Sequence, residues 1–183
     1  MSRAGKHPIS LKDGVTATIA TDAIVIKGPK GEIKVAIDTK NSGLVDVKVE
    51  AGQVVVTPKN AEDKTSRAMW GTMTRNIRSA VEGVTNGFAK EMYMNGVGYK
   101  ASVSGNKLIL VAGYSHDVVM DIPAGLTVEM GGSPTEFTIK GLDKCLVGLF
   151  ADKVHKVRKV DPYKGKGIFY KGETIRRKEG KKK

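Results

Sequence analysis

Cysteine is almost absent from this sequence: Cys145 stands alone among 183 residues, so no disulfide within the chain can staple it. A lone thiol suits a reducing compartment better than a secreted one. Apolar runs are short as well. None approaches the roughly 20 residues that a membrane-spanning helix needs. Met1 to Lys12 is polar and basic, without the apolar stretch of a signal peptide. The expectation is a cytoplasmic chain without a membrane partner. Histidine is scarce and scattered, and His7, His116 and His155 show no metal-ligand spacing. Asp117 and Asp121 lie close in sequence, yet no nucleophile, base and oxyanion donor accompany them as a set. Cys145, behind Lys144 in an apolar helical pattern, reads as a buried and inert thiol. No enzyme activity, metal, cofactor or small-molecule substrate is therefore expected.

What the chain does have is positive charge in one place. Of a formal +12, the stretch from Lys153 to Lys183 supplies +10, from 13 Lys and Arg against Asp161, Glu173 and Glu179. Residues 1–82 carry only +4. A basic block of this kind binds polyanions by releasing their condensed counterions, nucleic acid best and anionic lipid second. A solvated tail is the plainer alternative.

The sequence also repeats itself. Residues Val15 to Ile37 alternate as strands do, around a Gly28-Pro29-Lys30-Gly31 turn. Gly98 to Leu110 alternates in the same way, and at an offset of 84 Ala17 meets Ala101, Ile19 meets Val103, Asp22 meets Asn106, Ile24 meets Leu108 and Ile26 meets Leu110. Val47 to Thr57 reads as two short strands about Gly52, and Val128 to Ile139 does so about Gly132. Asp63-Lys64 and Asp143-Lys144 each open a segment of helical period. Met69, Trp70, Met73, Ile77, Ala80 and Val81 share one face of the first, with Lys64, Arg67, Arg75 and Arg78 opposite; Leu146, Phe150, Val154 and Val157 form the stripe of the second. A helix with one apolar face must bury it. The expected fold class is α+β: two repeated domains, each a small mainly antiparallel sheet packed against one helix, plus a basic C-terminal extension. The expected bounds are 1–82, 83–160 and 161–183. The last stretch has no period and is expected to order only against its partner.

Two motifs bear on function. Gly96, Gly98 and Ala101 have the spacing G-x-G-x-x-A, but an alternating strand pattern follows where a dinucleotide site needs a helix, so a small nucleotide-dependent enzyme is disfavoured. The glycines suit a strand end where another backbone comes close. Asp161-Pro162-Tyr163-Lys164-Gly165-Lys166-Gly167-Ile168 joins a proline-fixed entry, two glycines, two phosphate-seeking lysines and a ring able to stack on a base.

That string, followed by Lys171-Gly172-Glu173 and Ile175 to Lys181, resembles the C-terminal signature of the bacterial large ribosomal subunit protein six family. Ser2-Arg3 with Lys6, Pro8 and Ile9, Gly28 to Gly31, Trp70-Gly71 to Arg75-Asn76, and Gly96 to Tyr99 are similar to it too, so the resemblance covers essentially the whole chain. Val160 stands where that family commonly has proline, and Phe169 where it commonly has arginine, so this chain lacks one of the cations that the resemblance would bring to phosphate. The resemblance implies a duplicated sheet-plus-helix fold. It implies a structural protein of the large subunit that binds 23S rRNA near the stalk base, beside neighbouring large-subunit proteins and close to where translation factors dock. Tyr163, Lys164, Gly165, Lys166 and Gly167 are then the first rRNA-contact candidates, followed by Gly96, Gly98, Tyr99 and Lys100. Lys156, Lys159, Arg176, Arg177 and Lys178 are candidate phosphate contacts. A general nucleic-acid-binding module outside the ribosome is the alternative.

Overall fold

The computed structural model describes residues 5–20, 23–37, 44–50 and 52–180; Ser2, Arg3, Asp22 and the lysines from Lys181 onward lie outside the described residues. The chain divides into two compact units, Met1–Gly87 and Phe88–Lys183.

The first unit runs β1 (Ile9–Ser10), β2 (Thr16–Ile19), β3 (Ala23–Gly28), β4 (Gly31–Ala36), β5 (Val45–Glu50), β6 (Gln53–Pro58) and α1 (Lys64–Thr85). Its strands form two antiparallel sheets, ordered β2-β3-β4 and β1-β6-β5. The second unit runs β7 (Phe88–Asn95), β8 (Lys100–Ser104), β9 (Lys107–Val111), β10 (Val118–Asp121), β11 (Leu126–Met130), β12 (Glu136–Gly141), α2 (Lys144–Val157) and β13 (Gly167–Tyr170). Its sheets are ordered β8-β9-β10 and β11-β12-β7-β13.

The repeat holds at the level of register. Ala17 faces Ile26 and Ile19 faces Ile24 across β2 and β3; across β8 and β9, Ala101 faces Leu110 and Val103 faces Leu108, each pair 84 residues further on. Ile24, Ile26, Leu108 and Leu110 are all fully buried, and a one-residue slip would turn them out to water, which is why the register is fixed.

Each helix begins at an aspartate. Asp63 accepts from the Ser66 N–H (2.9 Å) and Asp143 from the Cys145 N–H (2.8 Å), satisfying donors that the first turn leaves without partners. On α1, Met73, Ile77, Ala80, Val81 and Val84 are buried against the sheets. Each such large apolar side chain contributes about 1.5–3 kcal/mol by leaving water. Trp70 is half-buried: its indole N–H donates to the Val56 C=O (2.7 Å), and Gly5 lies so close to the ring that a side chain there would run into it. The ring thus pins the N-terminal segment to the unit's core.

Three expectations need correction. The helix runs on to Thr85, so the units divide after Gly87 and not at Glu82. The stretch from Asp161, expected as a separate extension, contains β13, which pairs with β7 from Gly167 opposite Asn95 to Tyr170 opposite Met92 and buries Ile168 completely. A strand of four residues between glycines and lysines is too short to display a period of two. Cys145 is exposed, because the buried stripe of α2 is Val147, Phe150, Ala151 and Val154, and Cys145 lies about 200° round the helix from Val147.

Candidate nucleic-acid interface

Beyond Val157 the chain reverses through Arg158 to Lys166 and enters β13. Asp161 organises this loop. Its N–H donates to the Lys166 C=O (2.8 Å), its C=O accepts from the Gly165 N–H (2.9 Å), and its carboxylate accepts from the Lys164 N–H (2.8 Å). The Ile168 N–H closes the base on the Arg158 C=O (3.0 Å), and Asn95 donates its side-chain amide to the Gly165 C=O (3.0 Å). Glycine is obligatory at 167, where φ is +148° and a Cβ would lie 2.7 Å from Cα of Val160. The loop is therefore held in one shape, with Lys164 and Lys166 exposed on it and Tyr163 57% exposed.

The tail folds back onto the same loop. The Lys178 N–H donates to the Pro162 C=O (3.0 Å), and the guanidinium of Arg177 lies over Gly165. The expectation that this stretch orders only against a partner fails for Arg177 and Lys178, which are tied to their own chain.

Tyr99 meets the loop from the other side. Its N–H donates to the Gly96 C=O (3.2 Å) in a tight turn, and its ring fills the space that a side chain at Gly96 would need. Tyr99, Tyr114, Lys156, Arg158, Lys159, Asp161 and Lys166 line a recess of about 460 Å³. Tyr114 donates its hydroxyl to the Val157 C=O (2.8 Å), and the Arg158 guanidinium sits 5.2 Å from the Tyr114 ring centre, within cation–π range. Lys156 is bridged to Asp152 (2.6 Å), whose hydrogen bond and charge raise the lysine's pKa and take up part of its field.

Of the expected site residues, Tyr99, Lys156, Lys159 and Lys166 meet in this recess, and Tyr163, Lys164, Gly165, Gly167, Arg177 and Lys178 form or flank its loop. Gly96 serves by making room for Tyr99. Gly98 sits in an open turn with φ +78°, while Lys100 opens β8 opposite Val111, outside the lining of the recess. Arg176 is exposed. Arg158 and Tyr114 were missed; the signals for them were a cation directly after the helical stripe and a ring beside Gly113 in a loop. Phe169, one of the two departures noted in the sequence, stacks on Tyr93 with ring centres 6.1 Å apart, so an aromatic contact stands at that position.

Among the described residues no helix is long and apolar enough to cross a membrane, and no group of His, Cys, Asp or Glu is placed to hold a metal ion. The family model described as Ribosomal protein L6 matches residues 12–87 and 95–171, and the second stretch includes β13. Large ribosomal subunit protein uL6 of Bradyrhizobium sp. (strain ORS 278) is 48% identical over 183 residues, covering 100% of both chains. The protein of the same description from Mesorhizobium japonicum is 45% identical over the same full lengths.

Proposed function

The chain belongs to the ribosomal protein L6 family, and on that premise we propose how it serves the large ribosomal subunit: it binds 23S rRNA through the loop and recess of its second unit. The site lies near the stalk base, beside neighbouring large-subunit proteins and close to the docking region for translation factors. The role is structural. The observation that supports this reading is the convergence of Arg158, Lys159 and Lys166 on Tyr99 and Tyr114 in one recess, beside a loop that holds Lys164 and Tyr163 outward. The lysines neutralise crowded phosphates and release counterions. The rings stack on or pack against unpaired bases, and little sequence is read directly. Because the loop is fixed by its own hydrogen bonds, binding does not have to supply the entropy of ordering it.

The test is equilibrium binding of stalk-base 23S rRNA fragments across a series of salt concentrations. Lys159→Gln and Lys166→Gln are each expected to lower the magnitude of the slope of log affinity against log salt by roughly 0.7–0.9. Tyr163→Ala is expected to weaken binding by roughly 1–3 kcal/mol with the slope unchanged. A double lysine variant with wild-type slope would remove the recess from the interface. Co-sedimentation of the tagged protein with large subunits at moderate salt tests membership of the particle separately from the site.

A further inference from the structure

The first unit leaves open a place that the second unit fills with a strand. β7 carries β13 on its outer edge, whereas β1, the strand in the position of β7, has no neighbour on that side among the described residues. The equivalence runs residue by residue. Ile9 faces Val54 as Met92 faces Phe137, and Ser10 faces Gln53 as Tyr93 faces Glu136. Leu11 then matches Met94, and both donate their N–H inward, to the Gly52 C=O (3.0 Å) and the Thr135 C=O (2.8 Å). Alternation along the ladder turns the N–H and C=O of Ser10, and the C=O of Pro8, toward the open side. In the second unit the residue matching Pro8 is Glu91, whose C=O accepts the Lys171 N–H (3.0 Å) just past β13.

Beside this edge lies a recess lined by Ile9, Ser10, Lys12, Arg78, Val81 and Glu82. Its position matches the seat of Ile168. Counted from the capping Asp63 and Asp143, Arg78 corresponds to Arg158, and Ile168 is fully buried with its N–H on the Arg158 C=O. The lining is basic on balance, with Lys12 and Arg78 against Glu82, and Lys6 is exposed just upstream. The edge is two residues long and Pro8 offers no N–H, so it is a poor template for another copy of itself. A strand added here gains most from the side chain that fills the recess.

We propose that the outer edge of β1 docks an extended segment of a partner polypeptide. The segment adds to β1-β6-β5 as an antiparallel strand, seats one aliphatic side chain between β1 and α1, and sets a carboxylate against Lys12 or Arg78. This goes beyond the RNA-binding reading and does not depend on it, since it concerns the first unit alone.

The experiment uses the isotope-labelled full chain and a synthetic peptide, Asp-Gly-Ile-Phe-Tyr-Asp, patterned on β13. Saturable amide shifts centred on Ser10 and Lys12 and on Arg78 to Glu82 are expected. Ser10→Pro removes the outward N–H while leaving the ladder to β6 intact, and should weaken the peptide at least tenfold. Arg78→Glu, on the exposed face of the helix, should weaken it too, and should favour a peptide with lysine in place of aspartate. Replacing the peptide's isoleucine by aspartate should abolish the shifts. Absence of saturable shifts at millimolar peptide would overturn the proposal. So would shifts of these amides by a single-stranded RNA oligonucleotide in place of the peptide.

Discussion

The two units build the same sheets in the same register and then part company at the end of the helix. α1 has 22 residues and α2 has 14, and the residues that continue as helix from Arg78 in the first unit become, in the second, the loop that leads into β13. α1 closes with the Asn86 and Gly87 N–H groups on the Glu82 and Gly83 C=O groups, Gly87 taking the left-handed conformation that ends a helix cleanly. α2 stops because Arg158 is extended and Pro162 follows, which a helix cannot accommodate. Early termination of one helix thus supplies both a strand for its own sheet and the basic loop. The first unit keeps its last two helical turns and gives up both.

The sharpest way to break this comparison is to remove what the second unit gained. Deleting residues from Asp161 onward takes away β13 and the fully buried Ile168, and the second unit is expected to lose its cooperative unfolding while the first keeps it. Trp70, the only tryptophan, lies in the first unit, so its fluorescence follows that unit alone, and amide exchange follows the other. A truncated chain with two intact transitions would return β13 to the status of an ornament. Ile168→Ala is the milder form and should cost the second unit roughly 2–5 kcal/mol.

Trp70→Ala is the matching cut in the first unit. Because the ring is half-buried, the expected loss is at the low end of roughly 3–5 kcal/mol, confined to the first unit and read by amide exchange. Smaller again is Gly167→Ala, expected to cost roughly 1–3 kcal/mol for the left-handed backbone it must keep. Its Cβ would also press on the backbone of Val160. Thermal unfolding of the second unit measures it.

Much of this was legible in the sequence because the core residues announce themselves twice. Ile24 and Leu108, or Ile26 and Leu110, hold equivalent buried positions, and a repeat at constant offset survives only when register is fixed from both sides. The capping Asp63 and Asp143 were legible for a similar reason, since an aspartate ahead of a helical stripe has a local job. The string around Tyr163 was legible as chemistry but not as geometry. Nothing in Gly167 to Tyr170 says that the strand pairs with β7, because its partner lies more than 70 residues earlier. Tyr114 and Arg158 were missed for the same reason: the signals for them are local and weak, and each acquires its role only where loops from different parts of the unit meet.

The smallest effect concerns the start of the first unit's helix and its response to acid. Asp63 accepts hydrogen bonds from both the N–H and the hydroxyl of Ser66, and the backbone donors at Ser66 and then Thr65 hold its pKa below the ordinary carboxylate value. A depressed folded pKa means that the stabilisation is complete above the unfolded value of about 3.9 and disappears as the pH falls through the lower folded value. Unfolding of the first unit, followed by Trp70 fluorescence, should therefore steepen in its acid dependence below about pH 4. Asp63→Asn keeps an oxygen that caps the helix about equally well but cannot titrate. The variant should match the wild type at neutral pH and lose less stability on the acid side. Because the carboxylate is only partly buried, the difference should shrink further in high salt. Superimposable acid limbs for the two proteins would show that the Ser66 and Thr65 donors do not set this helix's response to acid.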